Sequence, residues 1–183
     1  LQFLDVFLVG HFDSGQAGAY SAISQVAKTV VYGAIILGTF LLPETAIAER
    51  SGSDAYRQLG IAGGLLAIPV VLLVAVSEFD ARGLLTLVFG NRYAGGHASL
   101  TLLIGAMVFL GGSTLLATYL LGSGRRWPTA RLAVTAVVGV WYLAAARGDI
   151  TQTVHHNFLL QAVVFVGLLV ATLRPLPPSE SHD

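Results

Sequence analysis

The sequence predicts an all-helical membrane protein, a bundle of six transmembrane helices of which the first is cut short. Three observations carry that expectation. Hydrophobic residues make up 55% of the 183-residue chain and charged residues 11%, against about 25% charged in soluble domains. Mean hydropathy is +0.74. The apolar residues gather in six runs, at 1–12, 18–43, 57–78, 97–121, 129–147 and 154–173, separated by short stretches rich in Gly, Ser, Asp and Arg. Sustained two-residue alternation is absent, which argues against a membrane β-barrel.

The first run, which holds Asp5 in "LDVFLVGHF", is too short to cross a hydrocarbon core of about 30 Å at about 1.5 Å per residue. It is already under way at Leu1 and is expected to lack its N-terminal half. The segment "DSGQAG" turns the chain into the second helix, 18–43, which Pro43 and "ERSGSD" are expected to close. In the third helix Pro69 is expected to place a kink. The "LLTLVF" of "SEFDARGLLTLVFGNRYAGGHAS" is too short to span and either extends the third helix or lies in the outer interface, where Phe89 and Tyr93 suit the headgroup layer. "GSGRRWP" separates the fourth helix from the fifth. Small residues at packing distance, Gly60 and Gly64, Gly105 and Gly112, Thr135 and Gly139, are expected to let helices approach closely. Residues 1–174 thus form one transmembrane lobe, and the polar, proline-broken 175–183 a disordered cytoplasmic tail.

Net charge is zero and cysteine is absent, so nothing points to nucleic acid, disulfides or thiolate metal sites. His155 and His156 are adjacent and diverge by about 100° on a helix, which disfavours a shared metal ion. No paired carboxylates, nucleophile elbow or phosphate-binding glycine loop supports an enzyme, and no cofactor is implied. Arginines divide unevenly between the two sides: Arg50, Arg57, Arg125, Arg126, Arg131 and Arg174 against Arg82, Arg92 and Arg147. The richer side, with the C-terminus, is expected to be cytoplasmic.

The chemistry concentrates on the second helix. Lys28 is the only lysine in the chain and falls inside an apolar segment, where a charge costs about 3 kcal/mol at the bilayer centre on insertion scales. Ser21, Gln25, Lys28, Tyr32 and Thr39 form a stripe on one side of the wheel, which would face protein or water rather than acyl chains. Asp5 is about as far from the turn on the first helix as Lys28 is on the second, so the two can pair at equal depth. Two readings stay open for Lys28: it lines an aqueous cavity, or it snorkels outward on its flexible stem.

The order of these features resembles a known family. The acidic "LDVFLVGHF", then "AGAYSAISQVAK", a long helix ending "FLLPETA", a third followed by "LLTLVFGNRYAGG", and three further helices are similar to the second six-helix half of polysaccharide flippases. These belong to the multidrug, oligosaccharidyl-lipid and polysaccharide exporter superfamily. The resemblance covers nearly the whole chain and implies one lobe of a twelve-helix, alternating-access exporter in a bacterial cytoplasmic membrane. Its cargo would be a lipid-linked oligosaccharide, a precursor of cell-surface polysaccharide, crossing through a hydrated cationic cavity that the first two helices line. Asp5, Ser21, Gln25, Lys28, Tyr32 and Thr39 would then line the substrate cavity. Arg50, Arg57, Arg125 and Arg126 would either collect the anionic lipid at the cytoplasmic face or simply follow from topology. Expected partners are the lipid-linked glycan, membrane lipids, and a missing N-terminal lobe or second chain. A multidrug cation antiporter and a non-transporting membrane anchor are the competing readings.

Overall fold

A computed structural model describes residues 4–51, 55–124, 137–146 and 149–173. These residues are helical almost throughout, with no strand among them. The helices are α1 (Leu4–Phe12), α2 (Ser14–Ser51), α3 (Ala55–Phe89), α4 (Leu100–Gly122), α5 (described over 137–144) and α6 (Ile150–Leu173), with a 3-10 helix at Asn91–Ser99 before α4. Four described segments are long and apolar enough to cross a membrane: Gly15–Ala48, Tyr56–Phe89, Gly96–Gly122 and Ile150–Leu173. The remaining expected span, 129–147, falls largely outside the described residues, as do Arg125, Arg126, Arg131, Arg147, Arg174 and the tail 175–183.

The hairpin turn is tighter than the sequence suggests. Asp13 alone stands between α1 and α2, and its Oδ1 accepts the backbone N–H groups of Gly15 at 3.0 Å and Gln16 at 3.3 Å. Gln16 Nε2 donates to the other carboxylate oxygen at 2.8 Å. An Asp with Gln three residues on is a side-chain cap that satisfies donors the first helical turn leaves open.

Pro43 does not close α2, which runs on to Ser51. Proline removes one backbone donor, but its fixed φ is helical, and packing can hold the helix on both sides of it. Here that packing comes from the end of α4. A Cβ at Gly122 would sit 2.9 Å from Thr45 Cβ and 3.0 Å from the Leu42 carbonyl oxygen, so the missing side chain is what lets α4 lie against residues 42–45.

In α3 the backbone dihedrals are helical at Pro69, and the helix breaks at Asp80 (φ −156°, ψ 66°). Asp80 Oδ1 accepts the N–H of Gly83 at 2.7 Å, capping the helix that restarts after the break, so "LLTLVF" continues α3 beyond a hinge. Glu78, Asp80 and Arg82 are all exposed at that level. The following 3-10 helix folds back over the start of α2: Tyr93 stacks on Gly18, where a Cβ would meet the ring at 3.1 Å, and Gly96 lies against Ile23.

The core is the seam of α2 against α4, with Ala27, Val30, Ala34, Leu103, Ile104 and Met107 almost wholly buried. On the far side of α4, Gly105 and Gly112 admit the Phe158 and Phe165 rings of α6, and Phe109 meets Phe158 edge to face at 5.4 Å and Phe165 at a tilt at 5.5 Å between ring centroids. Gly139 of α5 similarly meets Leu160. Gly60 and Gly64 are a correction: nothing lies within 4 Å of a Cβ built on either, so among the described residues they pack against no helix.

Candidate functional site

The site is built where α1 and the first half of α2 run side by side. Tyr20, Ser24 and Lys28 recur every four residues, which stacks their side chains on one face of α2, and all three turn toward Asp5 of α1. Lys28 Nζ lies 3.1 Å from Asp5 Oδ1. Tyr20 donates its hydroxyl proton to Oδ2 at 3.0 Å, and the Ser24 hydroxyl lies 3.5 Å from the same oxygen. Asp5, Tyr20, Ser24 and Lys28 are each at most 2% exposed.

Lys28 is about 20 Å along the helix from Gly15 and about 30 Å from Ala48 at ~1.5 Å per residue, so it belongs to the interior of the span. A charge at that depth is stable only when an opposite charge and further hydrogen bonds replace water. Asp5 provides the opposite charge. Tyr20 and Ser24 then satisfy the carboxylate oxygen that Lys28 does not reach.

The residues proposed from the sequence divide between two environments. Lys28 and Asp5 are buried together, whereas Ser21, Gln25 and Thr39 are exposed and Tyr32 is half-buried. The wheel puts Lys28 about 20° from Ser21 and about 40° from Ser24, at the border between the outward stripe and the inward face, and Asp5 draws it inward. The outward stripe is polar through Tyr32. Beyond it the exposed face becomes Ile35, Ile36 and Phe40, and the Thr39 hydroxyl closes onto its own helix through the Ile36 carbonyl at 2.7 Å.

Arg50 and Arg57 are exposed at a common end of the bundle. At that end Tyr56 donates to the Thr172 carbonyl at 2.9 Å and meets the Tyr119 ring at a tilt, 5.4 Å between centroids. His155 Nδ1 pairs with the Thr151 carbonyl at 2.8 Å, and the His156 ring meets Tyr142 at a tilt, 4.4 Å between centroids. No group of three or more metal-ligating side chains occurs among the described residues.

The polar stripe read from the sequence leaves out Tyr20 and Ser24, which both bond Asp5. For Tyr20 and Ser24 a signal exists, since with Lys28 they form a strict four-residue repeat. Asn157 of α6 is 3% exposed, and its Oδ1 accepts from Gln161 Nε2 at 3.3 Å. Comparison with family models, with curated proteins and with solved structures returns no match.

Proposed function

We propose that the chain is one lobe of an alternating-access exporter that moves a lipid-linked oligosaccharide across a bacterial cytoplasmic membrane. The observation that carries this reading is the buried Lys28–Asp5 pair at 3.1 Å, set directly behind an exposed polar stripe of Ser21, Gln25 and Tyr32. Intramembrane ion pairs are costly to build and mark transport pathways by default. Beside a water-facing stripe, a lysine on a flexible stem can exchange its carboxylate partner for an anionic head group, because attraction between charges strengthens away from bulk water.

In this reading Ser21, Gln25 and Tyr32 offer hydrogen bonds to the sugar and phosphate groups, and Lys28 provides the positive charge. Asp5 holds Lys28 when cargo is absent, and a second lobe or chain closes the far wall of the cavity. Arg50 and Arg57 sit at the cytoplasmic face, where positive residues accumulate and anionic lipids gather.

The test is export in cells. Surface glycan is measured in a strain that depends on this gene, with parent, Lys28→Ala and Gln25→Leu proteins at equal membrane levels. The exporter reading predicts a loss of at least tenfold for Lys28→Ala and a partial loss for Gln25→Leu. A non-transporting anchor would keep full export in both.

A further inference from the structure

The part of α3 that precedes the Asp80 break is held along one narrow face. Of residues 56–79 only Ala62, Leu66 and Ser77 are buried, and a Cβ built on Gly60, Gly63 or Gly64 meets nothing within 4 Å. Next to the break, the Ser77 hydroxyl donates to the Val74 carbonyl at 2.9 Å and accepts from Thr101 of α4 at 3.3 Å. Midway, Leu66 enters a notch walled by glycines: Cβ atoms built on Gly33 of α2 and Gly111 of α4 would meet its two methyl groups at 3.4 and 3.6 Å. At the far end, Tyr56 rests its ring against Tyr119 of α4 and donates to the Thr172 carbonyl of α6 at 2.9 Å. The last carbonyls of a helix have no partner within it, and the prolines at 175, 177 and 178 oppose continuation of α6. Tyr56 therefore caps α6 from another helix.

We propose that residues 56–79 of α3 are a hinged arm, with Asp80 as its pivot and the Tyr56–Thr172 hydrogen bond as its latch. The non-helical dihedrals at Asp80 interrupt the ladder that stiffens a helix. Beyond the pivot the chain is anchored, because Leu85 is wholly buried and Tyr93 lies on Gly18 of α2. Tyr56 is ~36 Å along the helix from Asp80 at ~1.5 Å per residue, so a swing of about 10° carries it ~6 Å. Such a swing breaks the latch, draws Leu66 out of its notch and parts α3 from α2 and α4 at the end that carries Arg50 and Arg57. Loss of one neutral hydrogen bond biases an equilibrium of this kind by roughly fivefold. The device belongs to the fold and does not depend on what the chain transports.

The experiment measures spin-label distances by electron–electron double resonance in lipid nanodiscs, in the parent and in Tyr56→Phe, which keeps the ring against Tyr119 and removes only the hydroxyl. One label sits at Leu121, exposed on α4, and the other in turn at Arg57, Ile68 and Val76, all exposed on α3. Leu121 paired with Ile47, exposed on α2, is the control. In Tyr56→Phe the distance to Arg57 is expected to lengthen and broaden, the distance to Ile68 to change about half as much, in proportion to its separation from Asp80, and those to Val76 and Ile47 to stay as in the parent. Unchanged distances at all three α3 positions overturn the proposal. So do a change confined to Arg57, which is fraying of the first turn, equal changes at all three, which exclude a pivot at Asp80, and a shift that the control pair shares.

Discussion

The Lys28 ammonium lies 3.1 Å from the Asp5 carboxylate, and the two residues meet from opposite arms of a hairpin whose turn is Asp13 alone. Each is almost inaccessible, so neither charge has water to fall back on. Removing one partner strands the other, which for buried pairs costs about 3–5 kcal/mol. Lys28→Met or Asp5→Leu alone should lower stability by that amount in denaturant titrations of the protein in detergent micelles. The double variant should lie far nearer the parent, short by only about 1–2 kcal/mol for the Tyr20 and Ser24 hydroxyls left without an acceptor. Additive single effects would show that the pair is not coupled.

The glycines separate into two classes with opposite expectations. A Cβ at Gly112 would fall 2.6 Å from the Phe165 ring, so Gly112→Ala must displace α6 and should cost about 1–3 kcal/mol. Gly60 and Gly64 meet nothing within 4 Å, and alanine there should be neutral or stabilising by up to about 1 kcal/mol. Thermal unfolding of the three single variants checks both signs at once.

Asp80 caps the helix that restarts beyond its own break through the Gly83 N–H. Asp80→Ala removes that acceptor and should cost about 1 kcal/mol, felt locally. Hydrogen exchange should speed up over residues 82–86 while the amides of 60–75 keep their protection. Uniform acceleration along α3 would mean that the two parts unfold as one.

What could be read from the sequence follows the range of the physics. The equal depth of Asp5 and Lys28 is hairpin arithmetic, needing only two helices and a turn, and the structure brings the pair together. The stripe of Ser21, Gln25, Lys28, Tyr32 and Thr39 is a projection on an ideal wheel, which shows direction without showing what lies opposite. Asp5 takes Lys28 out of that stripe, and the exposed face turns apolar after Tyr32. Pro43 and Pro69 mark local preference, and packing overrides it at Pro43, where Gly122 of α4 approaches. The break at Asp80 comes from a short side chain able to cap the next turn, a signal present in "FDARG" but weaker than a proline.

The central claim is that the outward stripe of α2, directly behind the buried pair, borders water inside the membrane. The chain has no cysteine, so single cysteines at Ser21, Gln25 and Tyr32 can be labelled without background, with Leu65 and Leu72 on the exposed apolar face of α3 as lipid-facing controls. In intact membranes treated with a water-soluble maleimide, the account predicts labelling at all three α2 positions, at least tenfold faster than at the α3 controls. Equal, negligible labelling at both sets, in membranes where the protein is folded, would contradict it.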